Sequence, residues 1–458
     1  MFDLIVIGGG PAGYVGAIKA AQDGLKVALI EKNQLGGTCL NRGCIPTKAL
    51  LHYAAIYEAV TNACQYGVEA DNVSFDFQKM HQKKAATVAM LRDGITSLLS
   101  ANKIQTFYGE GSIVDEHTVA CNGELLATSN ILIAVGSSPA MPPINGKENA
   151  VTSDDLLDGE NKFYDRLAII GGGVIGVEMA SIYRALGAEV TVLEAMDRIL
   201  PMMDREISQS LSMVMKKRGV SIISGASVQS IEGITPLTVT YKHKDQLLQL
   251  DADGVLICTG RRPNTANLFC DDFSVEMNGR YIKVDDKFMT SVNGIFAVGD
   301  VNGIMPLAHA AEAQALAAVA YMQGKQPSIN PLVVPSCVYT DPEIACVGIT
   351  ADEAKNAQMR VRTGKYIMAT NAKTLIEGKE RSYIKLIFDD DSDVLIGAQL
   401  FCAHATDIIA ELTSAICNKL TSADMLKALR PHPTFVEGIT EAIEASHGNS
   451  IHIMPARR

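Results

Sequence analysis

The chain has 458 residues, with 40 Lys and Arg residues against 51 Asp and Glu residues, and a formal net charge of −11. Hydrophobic residues make up 47% and charged residues 20% of the sequence, an ordinary globular usage that argues against a disordered chain, a coiled coil or a collagen. Such an acidic surface repels phosphate backbones, so we expect no nucleic-acid partner.

The start of the chain carries no export or membrane signal. Met1 leads almost directly into the apolar run 4–7, without a basic region, a signal-peptide core or a transit-like segment. No apolar run approaches the ~20 residues that span a bilayer. The ten cysteines are too sparse for a secreted disulfide scaffold. We therefore expect a cytoplasmic protein with no membrane span, in which any close cysteine pair is a candidate for redox or metal chemistry.

An internal repeat organises the first half of the chain. The apolar run 4–7 is typical of a buried parallel strand, and it leads into GGGPAG at 8–13 and then a helix-like stretch. The same order of apolar run, glycine cluster and helical stretch recurs with GGGVIG at 171–176. In both copies a second apolar run ends in an acid 18 positions after the last glycine, at Glu31 and Glu194.

The repeated unit has the pattern of a dinucleotide-binding fold. Glycine-rich turns are common singly, but two copies in register favour nucleotide binding over ordinary strand–helix turns. The middle glycine lets the backbone approach a pyrophosphate, the last allows close packing, and the helix N-terminus supplies amide donors. Glu31 and Glu194 would accept hydrogen bonds from ribose hydroxyls. The motif glycines are Gly8, Gly10 and Gly13 in the first unit and Gly171, Gly173 and Gly176 in the second.

Further strands are predicted after each unit. The run 130–135 leads into Gly136, and the run 254–258 leads into Gly260, so both strand ends are expected near bound nucleotide. Proline-containing stretches near 140–145 and 262–264 are predicted crossings between domains.

The last third of the chain has a different pattern. From about Pro335 the glycine clusters cease. Short apolar runs at 382–388 and 395–400, which we predict to be strands, alternate with helical segments. This pattern predicts an α+β domain.

A cysteine pair follows the first unit, in GGTCLNRGCIPTK at 36–48. In a regular helix, Cα atoms five residues apart lie about 8 Å from each other, beyond the ~7 Å limit for a disulfide. A bridge between Cys39 and Cys44 therefore needs irregular backbone, and the expected breaks are Gly36, Gly37, Gly43 and Pro46. Zinc ligation is disfavoured because no second pair stands at ligand spacing, while two unrelated core thiols stay open. A redox dithiol would need a flavin between it and nicotinamide, so one nucleotide should be FAD.

With these motifs in place, the chain resembles the flavin-dependent disulfide oxidoreductases, and among them the dihydrolipoyl dehydrogenases most closely. The resemblance covers nearly the whole length. Beyond the two glycine motifs and the cysteine box it is carried by TGRRPN at 259–264, IFAVGD at 295–300, LAH at 307–309, YTDPE at 339–343 and HPT at 432–434.

The resemblance implies an α/β fold with two Rossmann-like dinucleotide-binding domains, for FAD and NAD, and a C-terminal α+β dimerisation domain. The implied boundaries are 1–146 and 270–333 for the FAD-binding and central domain, 147–269 for the NAD-binding domain and 334–458 for the dimerisation domain.

The resemblance also implies residue roles. Cys39 would form the mixed disulfide with substrate, and Cys44 would be the thiolate that lies against the flavin. His432, oriented by Glu437, would be the acid–base group and would act on the disulfide of the other subunit in a homodimer. On its own a histidine beside prolines is more often a turn residue, but dithiol deprotonation needs a base with a pKa near 7.

The resemblance assigns further residues to the cofactors, and no metal site is expected. Lys48 would lie near the flavin and pair with Glu178. The contacts to FAD would come from Gly8, Gly10, Gly13, Glu31, Lys48, Gly111, Gly136, Asp300 and Ala308. The contacts to NAD would come from Gly171, Gly173, Gly176, Glu178, Glu194 and Gly260.

Particular residues separate this chain from its relatives. The second unit ends in EAMD at 194–197, which would repel the 2′-phosphate of NADP, so NAD is favoured although Arg198 lies nearby. Val174 stands where glutathione reductases tend to have tyrosine. Two departures from the family pattern are Arg42 inside the cysteine box and Phe435-Val436 in the histidine motif.

The implied activity is oxidation of protein-bound dihydrolipoamide to lipoamide with reduction of NAD⁺ to NADH. Two alternatives stay open, an NADH-dependent reductase of another low-molecular-weight disulfide and a flavoprotein binding module with a vestigial dithiol. The implied partners are a lipoyl protein, a second copy of the chain, and the acyltransferase core of a 2-oxo acid dehydrogenase complex or the glycine cleavage lipoyl protein.

Overall fold

The computed structural model describes residues 1–158, 162–379 and 381–454. The chain folds into two compact units, which are described separately. Unit 1 comprises Met1–Pro143, Ala150–Phe163 and Ile257–Pro331, and unit 2 comprises Ile144–Asn149, Tyr164–Leu256 and Leu332–Arg458. The three predicted domains stay a prediction.

The elements follow in chain order. The strands are β1 (Phe2–Ile7), β2 (Val27–Glu31), β3 (Gln105–Tyr108), β4 (Gly111–Asp115), β5 (Thr118–Cys121), β6 (Glu124–Ile133), β7 (Ser137–Pro139), β8 (Val151–Thr152), β9 (Arg166–Ile170), β10 (Glu189–Glu194), β11 (Ser221–Ser224), β12 (Ser227–Glu232), β13 (Leu237–His243), β14 (Gln246–Ala252), β15 (Gly254–Ile257), β16 (Arg261–Pro263), β17 (Met277–Asn278), β18 (Tyr281–Ile282), β19 (Ile295–Ala297), β20 (Ser336–Val338), β21 (Glu343–Gly348), β22 (Val361–Ile367), β23 (Tyr383–Asp389) and β24 (Leu395–Cys402). The α-helices are α1 (Pro11–Gln22), α2 (Gly37–Arg42), α3 (Cys44–Thr61), α4 (Phe77–Ala101), α5 (Ser153–Asp158), α6 (Val174–Ala185), α7 (Arg205–Lys217), α8 (Ala308–Met322), α9 (Ala351–Asn356), α10 (Ala372–Ile376), α11 (Ala405–Cys417), α12 (Ser422–Leu426) and α13 (Glu437–Ser446). Short 3₁₀ helices lie at Ala63–Tyr66, Lys147–Asn149, Gly299–Asn302 and Met368–Thr370.

The main sheet of unit 1 has the strand order β3-β2-β1-β6-β5-β4, and β19 also pairs with β6. Strands β1, β2, β3, β6 and β19 are parallel, whereas β4 and β5 extend the sheet antiparallel. Parallel strands covered on both faces need a continuous apolar run. In β1, Leu4 and Val6 belong to the core shared with α1 and α8, while Ile5 and Ile7 belong to the core on the other face.

Unit 2 contains a sheet that includes β11-β10-β9-β15, the antiparallel meander β12-β13-β14 and the five-stranded sheet β20-β21-β24-β23-β22. The pairs β9–β10 and β10–β11 are parallel, and the five-stranded sheet is antiparallel throughout. Helix α13 packs on β22 and β23, and α11 packs on β21 and β24. Phe388, Leu400, Ile439 and Ile443 lie in the core beneath these helices.

Most predicted elements are confirmed. The apolar run 4–7 lies in β1, the run 382–388 lies in β23 except for Ser382, and the run 395–400 lies in β24, in a region that is α+β as predicted. The run 130–135 is a strand only as far as Ile133, because the chain turns at Gly136, whose φ is +66°. Among the described residues, no helix combines the length and the apolar composition needed to traverse a bilayer.

Candidate redox-active site

The cysteine box forms a break between two helices of unit 1. Helix α2 ends at Arg42, α3 begins at Cys44, and Gly43 between them has φ −142° and ψ −111°. The break brings the Cα atoms of Cys39 and Cys44 to 4.7 Å, and their sulfurs form a disulfide. A Cβ at Gly43 would lie 2.9 Å from the carbonyl oxygen of Thr38, so a larger residue does not fit there. The predicted irregular backbone is confirmed.

The position of Cys44 favours a thiolate once the disulfide is opened. Cys44 is the first residue of α3, an 18-residue helix. The N-terminus of a helix carries a partial positive charge and unbonded N–H groups, which lower the pKa of a thiol placed there. The fold therefore stabilises negative charge on the sulfur that sequence reasoning assigned as the thiolate.

The two terminal acids of the repeat make identical contacts. Glu31 Oε2 accepts a hydrogen bond from the N–H of Gly9 at 2.6 Å, and Oε1 accepts from the N–H two residues after Glu31 at 2.7 Å. Glu194 repeats both contacts, at 2.6 Å from the N–H of Gly172 and 2.7 Å from the N–H two residues after itself. Each acid thus fixes the glycine turn beside its strand, a role that sequence reasoning missed because it predicted only ribose contacts.

The glycine turns leave room where a pyrophosphate would approach. A Cβ at Gly13 would lie 1.7 Å from the carbonyl oxygen of Gly8, so the last glycine is required for packing. A Cβ at Gly10 would meet only the Cα of Gly37 at 3.8 Å, and a Cβ at Gly173 would meet nothing within 4 Å. Free space beside the middle glycine, at the N-terminus of α1 and of α6, fits a bound diphosphate in each unit.

A cleft opens at the carboxyl ends of β1 and β2, where open α/β sheets bind ligands. Its lining brings together three residues predicted to contact FAD, namely Gly8, Glu31 and Gly111. Lys32 and Asn264 supply further polar groups at the same cleft.

Asp300 lies in a hydrogen-bonded network of unit 1. Its carboxylate accepts from Ser137 Oγ, and Arg261 Nε lies 3.8 Å from it. Arg261 also donates to Ser137 Oγ at 2.7 Å and to the Ser137 carbonyl at 2.6 Å. The network fixes Asp300 beside Gly136. Ala308, the other predicted contact of this part, is the first residue of α8.

In unit 2, Glu178 is buried in α6, with 2% of its surface exposed. Its Oε1 accepts a hydrogen bond from the N–H of Tyr339 at 2.9 Å, a contact that the sequence did not suggest. Gly171, at the turn before α6, has φ +110°. Gly260, in unit 1, has φ +131° and nothing within 4 Å of its Cβ position. The pairing of Glu178 with Lys48 stays a prediction.

His432 and Glu437 form the predicted pair. His432 Nδ1 lies 2.9 Å from Glu437 Oε1, and Glu437 Oε2 accepts from the N–H of Thr434 at 2.8 Å. Glu437 begins α13, whereas the His432 side chain is 72% exposed. With Nδ1 engaged by the carboxylate, Nε2 is the ring nitrogen left to exchange a proton.

The departure in the histidine motif lies mainly inside the core. Phe435 is 5% exposed, and its ring centroid lies 5.4 Å from that of His404. Val436 packs against the same core. Phe435 therefore contributes to the core on which α13 packs and does not form part of the exposed surface around His432.

Comparison with known proteins identifies the family. The family described as pyridine nucleotide-disulphide oxidoreductase matches residues 2–315, and its dimerisation domain matches residues 334–443. The chain belongs to this family. A dihydrolipoyl dehydrogenase of Bacillus subtilis (strain 168) is 37% identical over 98% of this chain and 99% of its own length. The dihydrolipoyl dehydrogenase of Geobacillus stearothermophilus is 36% identical over 99% of this chain and 97% of its own length.

Solved structures of other family members have the same fold. LpdA from Mycobacterium tuberculosis superimposes with a TM-score of 0.89 at 27% identity, covering 96% of this chain and 99% of that one. The HOCl-induced flavoprotein disulfide reductase RclA from Escherichia coli gives a TM-score of 0.85 at 28% identity, with the same coverage of 96% and 99%. The predicted α/β fold of this oxidoreductase family is confirmed.

Proposed function

We propose that the chain oxidises dihydrolipoamide carried by a lipoyl protein to lipoamide and reduces NAD⁺ to NADH. The Cys39–Cys44 disulfide carries the proposal, because it stands in a chain 37% identical to a dihydrolipoyl dehydrogenase over 98% of its length. FAD and NAD are the cofactors, held at the Gly10 and Gly173 turns. Bound FAD supplies the two-electron relay between dithiol and nicotinamide.

The thiol chemistry uses the chain's own groups. His432 Nε2 takes a proton from one substrate thiol, and the resulting thiolate attacks Cys39 Sγ, so the Cys39–Cys44 bond breaks and Cys44 leaves as a thiolate. The second substrate thiol attacks the substrate sulfur of the mixed disulfide and closes lipoamide, and its proton passes to the departing Cys39 sulfur while His432 keeps the first proton. Two electrons have passed from the substrate dithiol to the protein dithiol, and Glu437 stabilises the imidazolium in between.

The preference for NAD is supported by the end of β10. Glu194 is 7% exposed, and each of its carboxylate oxygens accepts one backbone N–H and keeps a further acceptor position for a ribose hydroxyl. Arg198, the cation that sequence reasoning left open as a phosphate ligand, lies 3.4 Å from Asp197 and donates to the carbonyl of Pro201 at 2.8 Å. An acid at the ribose and an engaged arginine disfavour a 2′-phosphate.

The proposal includes a homodimer in which His432 of one subunit serves the disulfide of the other, supported by the dimerisation-domain match at 334–443. The lipoyl substrate would come from a 2-oxo acid dehydrogenase complex, through its acyltransferase core, or from glycine cleavage. We place the protein in the cytoplasm, because the eight cysteines outside the box are thiols in the described chain, as is usual in a reducing compartment.

A second candidate is reduction of another disulfide by NADH. It is favoured by the structural similarity to RclA, a flavoprotein disulfide reductase, at a TM-score of 0.85. The higher identity to the dihydrolipoyl dehydrogenases places this candidate second.

Subunit complementation tests the shared site. Cys44→Ser and His432→Gln chains are each expected to give inactive homodimers. When the two chains are assembled together in equal amounts, about a quarter of the wild-type activity should return, because each heterodimer keeps one intact site. The matched control mixes Cys39→Ser with Cys44→Ser chains, which leaves every site broken. No recovery in the first mixture would rule out a site shared between subunits.

A further inference from the structure

Asp154 is a half-buried acid that the proposed reaction does not use. It lies in α5, which packs against α2, the helix that carries Cys39. Its Oδ1 is buried and has no hydrogen-bond partner among the described residues. A carboxylate oxygen in that position is costly unless positive charge lies nearby. Burial raises the pKa of Asp154, while Arg261 and Arg42 oppose that rise.

Arg42 is the cation inside the cysteine box. It is the last residue of α2, three positions after Cys39 and two before Cys44, and it is half-buried. The oxidised box carries no negative charge, whereas the reduced box carries the thiolate. A cation at this place stabilises the thiolate. Arg42 thus lies between two groups that can carry negative charge, the Asp154 carboxyl group in α5 and the thiolate that exists only after reduction.

Other charged groups also lie around the box, and their effects on the thiolate must be distinguished from that of Arg42. From β16, Arg261 Nη2 lies 3.4 Å from Thr38 Oγ1, and from α4, Arg92 Nη1 lies 3.5 Å from Asn41 Oδ1. The charged groups on α2, α3, α4, α5 and β16 are the cations Arg42, Lys48, Lys79, Lys83, Lys84, Arg92, Arg261 and Arg262 and the acids Glu58, Asp93, Asp154, Asp155 and Asp158. Glu58 lies 14 positions after Cys44 in α3, and Asp93 is exposed. Asp155 is engaged locally by Thr152, and Asp158 is exposed. Asp154 is therefore the acid whose negative charge would oppose that of the thiolate in the reduced box.

We propose that Arg42 and Asp154 form an opposed charge pair that tunes the redox dithiol, in which Arg42 stabilises the Cys44 thiolate and Asp154 offsets part of that stabilisation. The inference rests on the dithiol chemistry of the proposed function but not on the identity of the disulfide substrate. Both residues act through the cysteines and are positioning residues. The balance sets how much of the reduced enzyme carries the nucleophilic thiolate at a given pH.

The test measures the thiolate pKa of the holoenzyme reduced with dithiothreitol. Two readouts are followed against pH, the long-wavelength thiolate–flavin absorbance and the rate of alkylation by iodoacetamide. Arg42→Met should raise the thiolate pKa by about one unit, the size expected when one nearby charge is removed from a partly solvated site. Asp154→Asn should lower it by about half a unit, because the opposing charge is lost.

Conservative and remote variants separate charge from packing. Arg42→Lys keeps the charge and should restore the wild-type pKa, whereas a purely structural role would be disturbed by both replacements. Arg280→Met removes an exposed arginine of the same unit and controls for net charge. An unchanged pKa in Arg42→Met, or a raised pKa in Asp154→Asn, overturns the inference. Dithiothreitol reduces the enzyme in this test, so the pKa measurement does not depend on the natural substrate. Absence of turnover with dihydrolipoamide would therefore refute the proposed function but leave the inference about Arg42 and Asp154 standing.

Discussion

Gly173→Ala separates nucleotide binding from folding in unit 2. Gly173 caps α6 with φ −73° and ψ −172°, a conformation open to alanine, and its Cβ would meet no atom within 4 Å. The substitution should therefore change the free energy of unfolding by less than about 0.5 kcal/mol, the range of neutral surface replacements. The new methyl group would, however, fill the space through which a pyrophosphate reaches the N–H groups at the start of α6.

The cost to binding follows from the hydrogen bonds that the methyl group prevents. A pyrophosphate held off the turn loses one or two hydrogen bonds to a charged group, each worth about 1.5–3 kcal/mol. Losing one such bond raises the dissociation constant for NADH by about tenfold to a hundredfold. FAD content should stay at the wild-type level, because unit 1 keeps its own turn at Gly10.

The assay is titration of the purified holoenzyme with NADH, following the bound flavin, together with thermal unfolding. Gly172→Ala is the matched control, because its Cβ would lie 2.7 Å from Ile199 Cγ2 and 3.2 Å from Glu194 Oε2. Because its new methyl group would collide with Ile199, Gly172→Ala should lower the melting temperature, whereas Gly173→Ala should not. Wild-type NADH affinity in a well-folded Gly173→Ala protein would refute the assignment of this turn.

Three further predictions concern the thiolate and the ion pairs of unit 2. Cys44→Ser should abolish the long-wavelength absorbance of the reduced enzyme, and an unchanged reduced spectrum would refute the thiolate assignment. Lys385→Met should lower the free energy of unfolding by about 3 kcal/mol in denaturant titration, since it strands a buried carboxylate 2.8 Å away; a change below about 1 kcal/mol would contradict this. Burial alone would raise the pKa of Asp341, but Arg218 and Lys379 hold it below its usual value. Asp341→Asn should therefore destabilise the protein fully at pH 7. The difference in the free energy of unfolding from the wild type should shrink as the pH falls below about 4, the pKa of the unfolded carboxyl, and vanish below the lower folded pKa. A loss that does not depend on pH would count against this.

The parts of the site that the sequence could predict are those governed by local backbone rules. The two glycine turns follow from their spacing, because a Cβ at Gly13 cannot fit beside Gly8. The bridge from Cys39 to Cys44 likewise required a helix break, which the structure has at Gly43.

The parts that escaped prediction join residues far apart in the chain. Tyr339 lies 161 positions from the Glu178 carboxylate that it binds, and no periodicity links two such positions. The same holds for Arg42 and Asp154, which only the packing of α5 on α2 brings together. His432 and Glu437 lie only five positions apart, but a histidine beside prolines is by itself no sign of a site, so the pair was assigned from the resemblance and from the need for a base.

The most direct test of the central proposal is NAD⁺ reduction by dihydrolipoamide, measured in parallel with reduced glutathione and other low-molecular-weight thiols as donors. We expect rapid NADH formation with dihydrolipoamide, and little with the other thiols. Absence of turnover with dihydrolipoamide, while NADH still reduces the flavin and exposes two thiols, would contradict the proposed substrate and favour reduction of another disulfide by the same dithiol.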